Sequence, residues 1–265
     1  MRTIRLVQQA LSLFGLTLIR RPKALLDCPR GQLELTFSHI LSKYLIERDG
    51  DPYFVQIGAY NGMDGDPLYA FVSRGLLKGC LVEPQADMFE QLKANYRDVD
   101  GLTFRRAAIG SASRAQRLYR VKPGTQGPPW LGQVASLRRD VLLKLQDVVP
   151  EIESAIMTEE VPTVTPDVLF SECGRHPDVV VIDTEGYDFE IIKLLDLDRH
   201  APHILHYEHK HLSPTDADAC LRLLIDKGYR LVMNNQDTTA CLTTSNAVPA
   251  LEESWEQEAL LARIA

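Results

Sequence analysis

The segment Tyr53–Gly62, with the sequence YFVQIGAYNG, decides the fold of this chain. Residues Tyr53–Gly58 are apolar apart from one glutamine, as expected of a strand that is buried on both faces. Gly58 and Gly62 allow backbone conformations that other residues avoid, and they let the main chain approach a ligand closely. The segment therefore predicts a buried strand followed by a tight turn at a binding edge.

Short apolar runs alternate with helical patterns on the carboxyl side of this segment. Such alternation predicts parallel βαβ units with right-handed crossovers, and hence a Rossmann-like, doubly wound α/β fold. A closing pair of strands without a helix between them predicts an antiparallel edge on this mostly parallel sheet. The predicted strands are Gly79–Glu83, Thr103–Ile109, Arg117–Lys122, Val179–Asp183, His203–Glu208, Tyr229–Asn234 and Thr239–Thr243, and the predicted helices are Leu33–Glu47, Pro67–Leu77, Ala86–Tyr96, Asp188–Leu195 and Thr215–Lys227.

The composition is that of an ordinary globular protein. The 265 residues are 45% hydrophobic and 25% charged, which excludes disordered, collagenous and multi-spanning membrane classes. The net charge of −7 is unevenly placed, because residues 1–30 carry +5 and the remainder carries −12. An acidic body argues against nucleic acid as a partner. The five cysteines form no CxxC or zinc-like pattern and predict reduced thiols in a cytoplasmic protein.

The amino terminus is basic and amphipathic. Its longest apolar run, Ala10–Ile19, has half the length that a bilayer-spanning helix needs, and Arg20-Arg21-Pro22 follows in place of a cleavage site. A helix at 1–21 either docks on protein or makes peripheral contact with the inner face of a membrane. We expect a helical extension at 1–50, the α/β domain at 51–245 and a helical tail at 246–265, in an oligomeric state that the sequence leaves open.

The predicted strand ends carry the residues that a cofactor needs. Glu83 ends the second strand 25 positions after Gly58, where Rossmann-like folds place a carboxylate on ribose hydroxyls. Tyr60 interrupts the glycine pattern of nicotinamide sites, and the nearby Asp64 and Asp66 would repel a pyrophosphate but attract a cationic cofactor. These features favour S-adenosylmethionine over NAD. The alternative is that the glycines only form a tight turn and that Glu83 is a solvated residue at the end of a strand.

Four motifs follow one another along the chain: VQIGAYNGMDGDPLY at Val55–Tyr69, LVEPQADMFEQL at Leu81–Leu92, RRAAIG at Arg105–Gly110 and VIDTEGYDFEIIKLL at Val181–Leu195. In this order they resemble the FkbM family of S-adenosylmethionine-dependent methyltransferases, and the resemblance extends from about Tyr53 to Thr243. The resemblance implies a class I methyltransferase fold and methyl transfer, in the founding cases to a hydroxyl oxygen. Gln56 stands where many members have an acid, and Tyr60 where asparagine is usual.

The resemblance implies roles for individual residues. The turn after the first strand would line the methionine part of the cofactor, Glu83 would bind the ribose, and Ala107 and Ala108 would lie near the adenine. The full predicted cofactor set is Gln56, Gly58, Ala59, Tyr60, Asn61, Gly62, Asp66, Glu83, Pro84, Ala107, Ala108 and Asp183.

The reacting group is expected at the ends of the fourth and fifth strands, because a hydroxyl acceptor must lose a proton during methyl transfer. Asp183 is the first candidate for this base, followed by Glu208 and His206, since neighbouring carboxylates raise one another's pKa. We assign no metal ligand. A less favoured alternative is a divalent metal held by Asp183, Glu208 and the histidines of the segment His206–His211. Another alternative is that these histidines form a solvated cluster.

Two further residues have alternative roles. Glu185 could cap the following helix, and Trp130 in the surface loop Pro123–Gln133 could be either a lid or a packed surface ring.

The leading hypothesis for the function is O-methylation of a glycan, glycolipid or small metabolite. The other hypotheses are a nicotinamide-dependent oxidoreductase and a non-catalytic module that binds S-adenosylmethionine.

Overall fold

The computed structural model describes residues 36–48, 50–234 and 236–243. The predicted amphipathic helix at 1–21, most of the extension at 1–50 and the tail at 246–265 lie outside these residues. No helix in the described ranges is long and apolar enough to cross a membrane.

A seven-stranded sheet lies at the centre of the described residues. Its strands are β1 Tyr53–Ile57, β2 Lys78–Val82, β3 Leu102–Arg105, β8 Val179–Ile182, β9 Ile204–Glu208, β10 Tyr229–Met233 and β11 Asp237–Leu242. Across the sheet they lie in the order β10-β11-β9-β8-β1-β2-β3. Neighbouring strands are parallel except for β11, which runs antiparallel to both β9 and β10. The predicted doubly wound sheet with an antiparallel edge is thus confirmed.

The strand order reverses beside β1. From β1 the chain winds through β2 to β3 on one side, and it later crosses to β8 and β9 on the other. Ile57 pairs with Val82 of β2 and with Ile182 of β8, so the carboxyl ends of these three strands lie together. In open α/β sheets this reversal point is where ligands bind.

Helices cover the sheet, and side chains cap several of them. Thr36, Thr165 and Ser213 each accept a hydrogen bond from a backbone N–H in the first turn of their helix. The segment Pro67–Leu77 contains only one short α-helix instead of the longer one predicted. The helices are α1 Phe37–Glu47, α2 Tyr69–Val72, α3 Ala86–Asn95, α4 Arg139–Leu143, α5 Ile152–Ala155, α6 Pro166–Cys173, α7 Asp188–Leu194 and α8 Pro214–Asp226, with 3₁₀ turns at Pro129–Gln133 and Lys144–Asp147.

A second, four-stranded sheet has the order β4-β7-β5-β6. The prediction of one strand over Thr103–Ile109 was wrong, because β3 ends at Arg105 in the main sheet and β4 pairs with β7. Pro84 follows the end of the partner strand β2 and has no N–H with which to extend the pairing. The strands are β4 Ala108–Ile109, β5 Ala115–Val121, β6 Ala135–Ser136 and β7 Ile156–Val164.

Candidate active site

A cleft opens at the carboxyl ends of β1, β2 and β8. One part of its lining comes from the turns that follow these strands, and another part comes from β5, β6 and the residues beside them. The main sheet and the second sheet therefore both contribute to the same cleft. The lining includes 56–60, 64–67, 83–85, 107–109, 133, 135–137, 183–185 and the side chains of Leu118, Tyr187 and Ile191.

The turn after β1 depends on Gly58, which has a φ of 83°. A Cβ atom placed on this residue would lie 1.7 Å from the backbone oxygen of Asp183. Only glycine therefore permits β1 and β8 to approach so closely at the cleft. Tyr60 also adopts a left-handed conformation, with a φ of 47°, in a position where glycine or asparagine would be less strained.

Gln56 presents an unpaired acceptor within the cleft lining. Its Nε2 atom donates a hydrogen bond of 3.1 Å to Asp66 Oδ2. Asp66 is held in turn by the backbone N–H groups of Leu68 and Tyr69, which donate to its other oxygen. This contact orients the amide, and Gln56 Oε1 remains buried with no hydrogen-bond partner among the described residues. A ligand that donates hydrogen bonds would satisfy this oxygen.

Glu83 is buried at the end of β2 with only 2% of its surface exposed. Its Oε2 atom accepts a hydrogen bond of 2.8 Å from Tyr60 N, and its Oε1 atom accepts another of 2.8 Å from Gln85 N. Burial raises the pKa of this carboxyl to about 7, against the opposing effect of the two backbone donors. Glu83 is thus fixed in position and can change its charge near neutral pH.

Asp183 stands at the end of β8 and faces the cleft, where solvent reaches its side chain. The protein around the cleft desolvates this carboxyl and raises its pKa well above the usual value, and the charges of Asp188 and Glu185 act in the same direction. Lys210 has the opposite effect. A carboxylate with a raised pKa in an accessible cleft is suited to accept a proton.

Asp188 joins the ends of β8 and β9 from a fully buried position. Its Oδ2 atom accepts hydrogen bonds from Thr184 Oγ1 and Gly186 N, and its Oδ1 atom accepts one from Glu208 N. The alternative that Glu185 caps the following helix is wrong, because no side chain forms a capping hydrogen bond at the start of α7. Burial raises the pKa of Asp188 to about 7.

Glu185, Glu208 and His211 lie close together beside the cleft. His211 Nε2 is 2.9 Å from Glu185 Oε2 and 3.6 Å from Glu208 Oε2. Glu185 belongs to the cleft lining, and Glu208 is 8% exposed. Burial, followed by the charges of Asp183 and Glu185, raises the pKa of Glu208 to about 9.

The sequence profile of the methyltransferase FkbM domain matches residues 56–231, which include the ends of β1, β2, β8 and β9 around the cleft. The chain belongs to the FkbM methyltransferase family.

Three solved structures of methyltransferases are among those similar to this FkbM domain. A methyltransferase FkbM from Methylobacillus flagellatus KT is 15% identical, with 84% of this chain and 48% of that chain covered and a TM-score of 0.47. Precorrin-6y C5,15-methyltransferase from Geobacter metallireducens GS-15 is 11% identical, with 83% and 96% covered and a TM-score of 0.38. The METTL16 methyltransferase domain is 10% identical, with 91% and 77% covered and a TM-score of 0.45.

This chain spans about half of the length of the Methylobacillus protein, at 48%. No curated protein matches the chain. The FkbM domain has the class I methyltransferase fold, an α/β sheet that is mostly parallel and has an antiparallel edge.

The FkbM domain brings most of the predicted cofactor residues into one cleft. Two predicted residues lie elsewhere. The Asn61 side chain bonds Met63 N, Asp64 N and Asp64 Oδ2 within its own turn, and Gly62 packs on Leu92 and Tyr96. They shape the turn behind the cleft and do not line it. The predicted residues that line the cleft are Gln56, Gly58, Ala59, Tyr60, Asp66, Glu83, Pro84, Ala107, Ala108 and Asp183.

The three predicted catalytic residues do not lie together in the FkbM domain. Asp183 lines the cleft, whereas Glu208 is not part of the lining and its Oε2 atom lies 3.6 Å from His211 Nε2. His206 is not brought to the cleft. Its ring stacks on Phe37 of α1 with centroids 4.2 Å apart, and its Nδ1 atom lies 2.9 Å from Thr239 Oγ1. Burial lowers the pKa of His206 to about 4, as expected of a neutral core imidazole.

The structure also shows cleft residues that the sequence did not predict. Ser136 of β6 and the adjacent Leu137 belong to the lining, and so does Gln133, the last residue of the predicted surface loop Pro123–Gln133. Trp130, the candidate lid, is 42% exposed and lies outside the lining. The contact between His211 and Glu185 was not predicted from the sequence. The one sequence feature that could have indicated it is the position of His211 three residues after Glu208.

Proposed function

We propose that this FkbM domain is an S-adenosylmethionine-dependent methyltransferase that methylates a hydroxyl oxygen of a glycan, glycolipid or small metabolite. One observation carries the proposal: the carboxylates of Glu83 and Asp183 line the same cleft from two strand ends at the point where strand order reverses. Glu83 is suited to hold a cofactor, and Asp183 is suited to take a proton.

The cleft residues fit a cationic cofactor that carries an amino acid and a ribose. Gln56 Oε1 lacks a hydrogen-bond partner within the described ranges, and an ammonium group would supply one. Glu83 offers carboxylate oxygens for ribose hydroxyls, as acidic residues do at this position in Rossmann-like folds. S-adenosylmethionine supplies an activated methyl group when bound, while the residues of this chain orient the partners and move the proton.

Asp183 is our candidate for the general base. Its raised pKa keeps it a stronger proton acceptor than an ordinary aspartate, and its place in the cleft lets an acceptor hydroxyl approach it. Replacement by asparagine keeps the size of the side chain and removes the basic oxygen. We expect Asp183→Asn to lower kcat by about 100-fold or more. The FkbM family assignment supports methyl transfer over the alternative of hydride transfer to a nicotinamide.

Calorimetry with S-adenosylhomocysteine tests the cofactor assignment. Wild-type protein should bind it, and Glu83→Ala should weaken the affinity by about tenfold or more, because a charge-assisted hydrogen bond is lost. Glu90→Gln is the matched control, since Glu90 is exposed on α3. NAD should not bind. The proposal fails if folded wild-type protein does not bind S-adenosylhomocysteine.

The acceptor is identified by release of S-adenosylhomocysteine across a panel of glycans, lipid-linked sugars and small phenols. Turnover with any hydroxyl compound, lost in Asp183→Asn, supports an O-methyltransferase. Cofactor binding without turnover on any compound would favour a non-catalytic module.

A glycolipid acceptor would place the protein at the inner face of a membrane, with the basic residues 1–21 as the attachment segment. Removal of these residues should reduce sedimentation with vesicles of anionic lipid. Equal sedimentation of the full chain and the shortened chain would contradict peripheral attachment and leave the cofactor proposal intact.

A further inference from the structure

We propose that Glu185, Glu208 and His211 form a binding site for a divalent cation at the edge of the cleft. The proposal concerns cation binding, and its test does not depend on methyl transfer. Each of the three side chains offers one ligand atom, and these atoms all lie within 4.8 Å of one another.

The three atoms are buried and lack the partners that buried polar atoms normally have. Glu185 Oε2, Glu208 Oε2 and His211 Nε2 form no hydrogen bond within the described part of the chain. His211 Nε2 and Glu185 Oε2 are only 2.9 Å apart, yet they are not aligned as donor and acceptor. A buried polar atom without a hydrogen bond is unfavourable, so three that converge favour a ligand that contacts all of them.

The spacing of the atoms suits a metal ion. Metal–ligand bonds of about 2.1 Å place two ligand atoms about 3 Å apart at right angles and about 4 Å apart when they are opposite. The distances of 2.9 Å and 3.6 Å from His211 Nε2 lie in this range. Small side-chain rotations would bring the two carboxylate oxygens to the same ion.

The surroundings of the cluster favour a cation. Several carboxyl groups lie at these two strand ends, because Asp183 and Glu185 follow β8, and Asp188 accepts a hydrogen bond from the backbone N–H of Glu208 at the end of β9. Lys210 Nζ lies 3.9 Å from Oε1 of Glu208, whereas His211 Nε2 lies 3.6 Å from Oε2. A divalent cation at the three converging atoms would therefore lie among acidic groups that can balance its charge.

Gly186 allows His211 to reach the cluster. This glycine has a φ of 89°, and a Cβ atom placed on it would lie 3.1 Å from His211 Cβ. The turn that carries Glu185 can therefore pack directly on the segment that carries His211. Because Glu185 also lines the cleft, a cation held here would lie where it could contact an acceptor oxygen near Asp183.

The ligand set predicts which ions bind. Two carboxylate oxygens and one imidazole nitrogen are suited to Mn²⁺, whose preferred ligands include both types, and they are less suited to Mg²⁺, which prefers oxygen. Mn²⁺ is also detected directly by electron paramagnetic resonance, so it is the probe of choice.

Titration of the full chain with Mn²⁺, followed by electron paramagnetic resonance, tests the site. Wild-type protein should bind one equivalent and should unfold at a higher temperature in its presence. His211→Gln and Glu208→Gln should each weaken binding by at least about tenfold and abolish the thermal shift. His209→Gln is the matched control, because His209 Nδ1 lies 2.9 Å from Thr238 Oγ1, outside the cluster. It should bind Mn²⁺ as the wild type does.

Two results would overturn the proposal: wild-type protein that does not bind Mn²⁺, or His211→Gln that binds as tightly as His209→Gln. In either case the cluster is an ion-paired histidine between two carboxylates. Should His211→Gln fail to fold, Glu185→Gln gives the same comparison. Binding of S-adenosylhomocysteine, measured in parallel, distinguishes failure of the cation site from failure of the proposed function.

Discussion

The backbone N–H of Tyr60 donates a hydrogen bond of 2.8 Å to Glu83 Oε2, and this bond joins the turn after β1 to the end of β2. Tyr60 holds a left-handed conformation at this point. The same carboxylate that is suited to a ribose therefore also supports the loop on which the rest of the cofactor would lie. If Glu83 binds the ribose as proposed, cofactor binding and loop geometry are coupled through one buried acid.

Glu83 should make the stability of the protein depend on pH. Its pKa is about 7 in the folded chain and 4.5 as a free side chain, so the folded state holds the proton more tightly. Stability should therefore fall as pH rises from about 4.5 to about 7, by roughly 3 kcal/mol from this group. Urea unfolding across this range should show a smaller slope with pH for Glu83→Gln than for wild type. Equal slopes would contradict the assignment.

Gly58→Ala should strongly destabilise the fold, because the new Cβ atom would lie 1.7 Å from the Asp183 backbone oxygen. We expect a loss of about 3 kcal/mol or more from overlap and left-handed strain together. Gly65→Ala separates the two effects, since Gly65 has a φ of 75° but no atom within 4 Å of its Cβ position. It should lose only about 1 kcal/mol. Chemical denaturation of both variants gives the comparison, and similar losses would show that backbone strain alone is responsible.

Asp188→Leu should cost about 3 kcal/mol or more, because it leaves the backbone N–H groups of Gly186 and Glu208 without their acceptor. Asp188→Asn should cost less, since one carbonyl oxygen remains. Asp218→Asn on the exposed side of α8 is the control and should stay within about 0.5 kcal/mol of wild type. The three free energies of unfolding are measured in urea. Stability of Asp188→Leu near that of wild type would mean that these bonds do not hold the strand ends together.

His206 should make the protein sensitive to acid. Its pKa is about 4 in the folded chain against 6.5 for a free histidine, so the unfolded chain binds the proton first. Stability should therefore fall as pH drops from about 6.5 to about 4. His206→Phe retains a ring that can stack on Phe37 and removes the titrating group. Its unfolding free energy should change less over this range, and an unchanged dependence would place the titration elsewhere.

The strand ends could be predicted from the sequence because their signals are local. The apolar runs that contain Gln56, Glu83 and Asp183 are each bounded by glycine or proline, and parallel strands place such ends at one edge. The structure puts all three residues in one cleft. The contacts that these side chains make with distant parts of the chain have no local signal in the sequence. The position of His206 against Phe37 and the role of Asp188 therefore could not be predicted.

The sequence by itself determined the order of the βα units of the main sheet and the residues at the ends of β1, β2 and β8 that line the cleft. Apolar periodicity and turn residues act over a few positions, and that is enough to fix these features. Only the tertiary structure decided that the second sheet contributes Ser136 to the cleft and that His211 joins Glu185 and Glu208. These contacts depend on how segments that are distant in sequence pack against one another. The close approach of Gly186 to His211 is one example.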